Sequence, residues 1–325
     1  LTIHPALLSD PLSPLLSSVI SLGGCSASFV SPDGLVITNH HCATGALQLN
    51  STAKANLLKD GYMAPTKAAE KSNGPSARAF VTRKVTNVTN DFQKALASKT
   101  SDLQMANAIE GVEKSIVAAC EKGRPGIKCS VARFYNGAEF YLIEQLEIRD
   151  LRLVYAPAAG IGNYGGEIDN WRWPRHTGDF TFFRAYVGKD GNPADYSPEN
   201  VRYRPQHHLK MATTPLAEGD LVMVAGYPGR TQLLRTLAEA EQTVSWLYPR
   251  RVKMAEEYLA MLKEVGDRDG DVAVRATPFV RRFGNGLTNT KGQLEGLIQG
   301  GLLAEKKADE DQLRAFIAKT PQNKL

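Results

Sequence analysis

No apolar run among the 325 residues approaches the roughly 18 that a bilayer-crossing helix needs, so we expect no membrane span. Dense Lys/Arg tracts interleaved with aromatics are missing too. The 39 basic and 34 acidic residues are mixed along the chain and leave a formal charge of +5. That balance argues for a solvated surface of both signs and against a nucleic-acid partner. There is no internal repeat and no low-complexity stretch. Composition excludes disorder of the whole chain, at 42% hydrophobic against 22% charged. What remains is an ordinary globular chain, long enough for a large core or two domains.

The opening segment, 1–20, is apolar but broken by Pro5, Pro11 and Pro14, and it lacks the basic start of a signal peptide. The first residue is Leu1 rather than Met, so we expect the chain to begin inside a longer precursor, with room upstream for a removed secretion signal. Cysteine is scarce. The four fall into two close pairs, Cys25 with Cys42 and Cys120 with Cys129, and both pairs bracket turn-rich sequence. That suits two local disulfides in an oxidising compartment, periplasmic or secreted. Four reduced core thiols in a cytosolic protein are the alternative.

Strand signals dominate the first two thirds. Ala27 to Val30, the turn Ser31-Pro32-Asp33-Gly34 and the β-branched Leu35-Val36-Ile37-Thr38 read as a hairpin. Between Asp91 and Cys120, apolar residues recur at helical intervals and predict one or two amphipathic helices. Ser130 to Tyr135 and Glu139 to Leu146 flank Asn136-Gly137, which suits a type I′ turn. Leu151 to Tyr155 and Phe180 to Val187 are further strands, and Leu221 to Ala225 reads as a short buried one. Beyond Arg230 the periodicity turns helical, over Thr231 to Lys263 and Lys306 to Lys319. We place a boundary near residue 230, between a mainly β domain, 1–231, and a helical one, 232–325.

The chemistry concentrates in two segments. The first is Gly23-Gly24-Cys25 followed by Leu35-Val36-Ile37-Thr38-Asn39-His40-His41-Cys42. It resembles the hairpin of chymotrypsin-like peptidases, in which a strand ends in a His-Cys pair and that Cys bonds one at the start of the preceding strand. The resemblance implies a Cys25–Cys42 disulfide and puts His41 in the place of the general base. Histidine suits that role because its ordinary pKa, about 6.5, lets it take and return a proton near neutrality. The second segment holds Asn170-Trp171-Arg172-Trp173-Pro174-Arg175-His176-Thr177-Gly178-Asp179 just ahead of a strong strand. Such a density of tryptophan, acid, arginine and histidine is a costly mixture for mere structure.

Together the two segments resemble the bacterial serine dipeptidyl peptidases of the dipeptidyl aminopeptidase BII type. These join a chymotrypsin-type double barrel to an inserted helical domain, and the resemblance covers most of residues 20–290. It implies a mainly β fold, a chymotrypsin-like double β-barrel incomplete in this chain, with the start of an α-helical cap. His41 would be the base and Asp179 the acid that orients it. Asp169 is the rival acid, set in the tryptophan loop rather than at a strand's start, and His40 is expected to pack locally. Removal of dipeptides from a free N-terminus requires a site for an ammonium group. Asn170, Trp171 and Asn285 match the family residues that hold it, through an amide carbonyl and an aromatic face. Read without the family, the Trp is a core side chain and Asn285 beside glycine is a turn. The substrates would be oligopeptides, the assembly a homodimer, and the chemistry free of metal or organic cofactor.

A serine nucleophile needs a Gly-x-Ser-Gly-like turn whose backbone N–H groups form an oxyanion hole. Only Ser197 and Ser245 follow Asp179, and neither has glycine neighbours. The family resemblance implies that the nucleophile, and the residue that selects the penultimate side chain, lie in a C-terminal segment beyond residue 325. The alternative from another class is a non-catalytic peptide-binding protein on the same fold. A metal site at His40-His41-Cys42 or His207-His208 has little support. Neighbouring residues on a strand face opposite ways, and no spacing matches a zinc module.

Overall fold

Short β-branched and aromatic runs with alternating burial build the sheet. In the computed structural model the described residues are 3–52, 54–171, 174–229 and 235–320, with the side chains of Asn136, Glu167, Asp169 and Asn170 left out. The strands are β1 (Val19–Ser21), β2 (Ser26–Phe29), β3 (Leu35–Thr38), β4 (Tyr62–Met63), β5 (Lys71–Ser72), β6 (Ala79–Asn87), β7 (Ile127–Phe134), β8 (Glu139–Ile148), β9 (Asp150–Ala156), β10 (Thr181–Val187) and β11 (Val201–Arg202). All pair antiparallel in the order β4-β9-β10-β3-β2-β1-β6-β8-β7, with β11 on β10 and β5 on β9. The expected mainly β architecture is thus present as one open sheet. Among the described residues the path does not close into a barrel.

The chain divides into two compact units: 1–50, 60–158 and 179–229 form one, and 51–59, 159–178 and 230–325 form the other. The second unit takes in two short upstream segments, because compactness follows contacts rather than chain order.

Within the first unit, Ile20, Phe29, Val36, Leu151, Leu153, Phe183 and Ala185 are wholly or almost wholly buried. The β2–β3 turn requires glycine at Gly34. Its φ is +72°, and a Cβ there would lie 2.6 Å from the Tyr203 carbonyl oxygen. A satellite core forms where helices α1 (Thr89–Leu96) and α2 (Asp102–Glu121) cover β7 and β8. There Phe92 stacks on Phe140 with ring centroids 3.9 Å apart, against Ile109, Val112 and Ile116. The Cys120–Cys129 disulfide ties the end of α2 to β7.

Two local readings differ from the structure. The Asn136-Gly137 turn is not a two-residue type I′ turn: Tyr135–Gly137 make a tight helical turn, with positive φ at Tyr135 and Gly137. Leu221 to Ala225 is neither strand nor buried, and Val224 is fully exposed. Its apolar pattern gives it the capacity to be a strand, but a strand exists only where a neighbour takes its backbone hydrogen bonds. No described strand pairs with it.

The second unit is helical, with α3 (Gly166–Trp171), α4 (Leu237–Gln242), α5 (Tyr248–Arg268), α6 (Gly270–Gln299) and α7 (Leu302–Lys319). Its sharpest start is α4, where Thr236 and Glu239 form a reciprocal capping box. Helices α5 and α6 meet through stacked Tyr258 and Phe283, the Tyr248–Gln293 hydrogen bond and the Lys291–Glu256 ion pair. Helix α6 escapes a sequence reading because Pro278 and its several glycines mimic a loop, yet packing carries the helix through them.

A buried charge network clamps β10 from its flank. Glu70 accepts from Arg184 Nε at 2.9 Å and from the Tyr186 hydroxyl at 2.7 Å, and its side chain is 2% exposed. Burial first, then the hydrogen bond to Glu70 and its charge, push the Tyr186 phenol well above its ordinary pKa of 10.0. A raised folded-state pKa means that this contribution is intact below pH about 10 and is lost as pH climbs toward the folded value. We predict that Tyr186→Phe flattens the alkaline fall of the melting temperature above pH about 10, read by calorimetry. Tyr62 and Tyr203, also raised by burial, retain part of the slope.

Candidate active site

Strand β3 ends at Thr38, strand β10 begins at Thr181, and these two residues are partners in the antiparallel ladder. Register alone therefore sets the residues after Thr38 beside those before Thr181. After Thr38 the backbone stays extended at Asn39 and then makes one tight turn, His40–Ala43, that runs into a short helix, Thr44–Leu49. The turn buries His40 and leaves His41 on the surface, its side chain 54% exposed. Cys25 directly precedes β2 and Cys42 lies in the turn after β3. Because Ala27 pairs with Thr38, the Cys25–Cys42 disulfide closes the open end of this hairpin.

Asp179 arrives from the other side with its side chain only 6% exposed. Its Oδ2 accepts from His41 Nδ1 at 2.9 Å, across 138 residues of sequence, and its Oδ1 accepts from the His41 backbone N–H at 3.1 Å. An ionised carboxylate can only accept, so Nδ1 carries the proton, and the neutral ring leaves its lone pair on Nε2. A buried acid thus fixes the tautomer of an exposed imidazole whose free nitrogen faces away from it. Such a ring can remove a proton from a hydroxyl or water and return it.

Of the residues expected from the sequence, His41, Asp179, Cys25 and Cys42 are brought together in the first unit, and Cys120 is bonded to Cys129 elsewhere in it. The side chains of Asn170 and Asp169 lie outside the described residues, so neither is placed here. Trp171 and Asn285 meet within the second unit. The indole Nε1–H, which can only donate, gives its hydrogen bond to Asn285 Oδ1 at 3.0 Å and so orients the amide. Asn285 sits inside α6 rather than in a glycine turn. Ser197 accepts the Glu199 N–H on Oγ, and Ser245 donates to the Glu241 carbonyl within its own helical turn. Asn39, overlooked in the sequence, also reaches Asp179; its signal was its place at the strand's end, two residues before His41.

One cluster of His, Cys and acid side chains among the described residues has metal-like spacing, Cys25, His41 and Cys42. Both sulfurs are joined in the disulfide and offer no thiolate. His207 Nδ1 is hydrogen-bonded to Ser17 Oγ at 2.9 Å.

The fold and this corner define an antiparallel β protein with a hydrogen-bonded His–Asp pair at the end of a disulfide-closed hairpin. The Peptidase S46 family model matches residues 1–325, and the chain belongs to that family. It is 40% identical to an Asp/Glu-specific dipeptidyl-peptidase of Shewanella putrefaciens, over 97% of this chain and 43% of that protein. A dipeptidyl-peptidase 7 of Capnocytophaga gingivalis is 35% identical over 93% of this chain and 42% of its own length. Among solved structures, Porphyromonas endodontalis DPP11 in complex with the dipeptide Arg-Glu superposes with a TM-score of 0.87 at 30% identity, covering 98% of this chain and 46% of that one. The chain thus spans less than half the length of these relatives. Among the described residues no helix is long and apolar enough to cross a membrane.

The disulfide holds the hairpin that carries the imidazole. A Cys25→Ala/Cys42→Ala variant should lose about 3 kcal/mol of unfolding free energy, the scale for closing a loop of this size, read as a lower denaturant midpoint.

Proposed function

We propose that the full-length protein is a serine exopeptidase that releases dipeptides from the free N-termini of oligopeptides. The observation that carries the reading is the 2.9 Å bond from His41 Nδ1 to buried Asp179, which leaves an exposed Nε2 as a base. His41 takes the proton of a serine hydroxyl as it attacks the peptide carbonyl, forming an acyl-enzyme, and gives that proton to the departing amine. Water then enters by the same route in reverse. Asp179 holds the tautomer and stabilises the imidazolium that forms. Asn170, Trp171 and Asn285 hold the substrate's ammonium. In support, the indole N–H orients the Asn285 amide by donating to its Oδ1 at 3.0 Å, and Trp171 is about half exposed, at 47%. Release of dipeptides is common to the names of the similar proteins from both Shewanella and Capnocytophaga.

The two disulfides support action in the periplasm or outside the cell. The protein works as a homodimer on this reading, which light scattering checks.

The test is turnover of dipeptidyl fluorophores by the full-length protein. Asp179→Asn should lower kcat by about four orders of magnitude, because an amide can donate to the ring and favour the wrong tautomer. Full activity in that variant, or in His41→Ala, would overturn the mechanism. A separate expectation concerns the ammonium site. Asn285→Ala should raise KM by about tenfold, roughly one hydrogen bond to a charged group, and acetylation of the substrate N-terminus should abolish turnover. Equal turnover of free and acetylated substrates would mark an endopeptidase instead.

A further inference from the structure

We infer that Asn39 is a positioning residue for the proton transfer, acting through Asp179; the inference rests on the reading of His41 as the base. Asn39 occupies the residue before a helical turn, where an asparagine side chain ordinarily accepts a backbone N–H from the turn. Here it makes no such cap. That place is taken from the segment ahead of β10: the His41 N–H donates to Asp179 Oδ1 at 3.1 Å. The displaced Asn39 amide reaches across instead. Its Nδ2 donates to Asp179 Oδ2 at 3.1 Å and to the Asp179 backbone carbonyl at 3.2 Å.

Both atoms facing the amide are acceptors, so only its NH₂ end can point there. One nitrogen therefore holds both the backbone and the carboxylate of Asp179. The carboxylate oxygen it grips is the same one that accepts from His41 Nδ1. With Oδ1 tied to the His41 backbone and Oδ2 to Asn39, rotation about the Asp179 side-chain torsions is opposed at both oxygens. The acceptor lone pair stays aimed at the imidazole. The side-chain hydrogen bonds of Asn39 go to Asp179 and not to the imidazole, so its effect is exerted through the aim and charge of Asp179. Hydrogen bonds donated to the charged form favour it, which matters for a carboxylate this buried.

Two variants separate this role from simple packing. Asn39→Asp keeps the shape of the side chain but replaces the donor by an oxygen that faces Asp179 Oδ2. Asn39→Ala removes the group altogether. In the full-length protein, with dipeptidyl fluorophores, both should lower kcat by about 10- to 100-fold with KM nearly unchanged, the scale for a small misplacement of a catalytic group. Asn39→Asp should be hit at least as hard as Asn39→Ala. The low-field imidazole Nδ1–H proton resonance, assigned by its loss in His41→Ala, should move upfield or broaden in both, while the melting temperature shows that the fold is kept. Wild-type kcat and an unchanged resonance in Asn39→Asp would overturn the inference, as would losses that simply track the folded fraction. If His41→Ala or Asp179→Asn leaves turnover intact, it is the reading of His41 as the base that fails. If those two abolish turnover and the Asn39 variants do not, only the role of Asn39 is lost.

Discussion

The antiparallel pairing of β3 with β10 is the constraint on which the candidate site depends. Thr38 faces Thr181, Ile37 faces Phe182 and Val36 faces Phe183, and the chain on either side of this short ladder carries His41 and Asp179. A slip of one residue would turn the buried Val36 and Phe183 toward the opposite face, so core burial specifies the register. The same register decides which residue of the segment ahead of β10 comes to lie beside the imidazole, and with Thr38 opposite Thr181 it is Asp179. Several neighbours hold that register in place. Thr38 Oγ1 donates to the Ser26 carbonyl, Thr181 Oγ1 donates to that of Tyr155, and Glu70 grips Arg184 and Tyr186 farther along β10.

A division of exposure follows from this geometry. The acid is buried and surrounded by donors, whereas the imidazole is more than half exposed. A charged carboxylate persists in a poorly solvated place only if hydrogen bonds replace the lost water. The backbone N–H of His41, its ring N–H and the Asn39 amide supply them. The imidazole, by contrast, is left where other molecules can reach it. The disulfide at the hairpin's end and the tight turn after Asn39 let one short segment meet both demands, with His40 inside and His41 outside. The second unit builds its own polar pair by a similar rule. An indole that can only donate orients an amide that can do either.

Where the sequence reading went astray, the cause was an interaction that no local window contains. Helix α6 runs through Pro278 and paired glycines because α5 and its neighbours pack against it, overriding weak propensity. The continuous apolar run at Leu221 to Ala225 has the composition of a short buried strand but no described partner, so pattern alone overstated it. The turn at Tyr135–Gly137 kept a glycine with positive φ but moved the other such residue from Asn136 to Tyr135.

By itself the sequence determined the local elements and the cast. Alternating β-branched and aromatic residues made β2, β3, β8, β9 and β10 legible, helical spacing marked α1 and α2, and the Asn-His-His-Cys run marked the chemistry, because these are short-range consequences of side-chain shape and periodicity. Its place at a strand's start favoured Asp179 over Asp169, and the family resemblance strengthened that choice and singled out Asn170, Trp171 and Asn285, which no local pattern marks. Only the tertiary structure decided that Asp179 grips His41 through both backbone and ring, that Asn39 forgoes its own turn to hold Asp179, and that Trp171 fixes the Asn285 amide. Those bonds join residues far apart in the chain. They exist because strand register and helix packing, set by burial over the whole of each unit, deliver the partners to within hydrogen-bond reach.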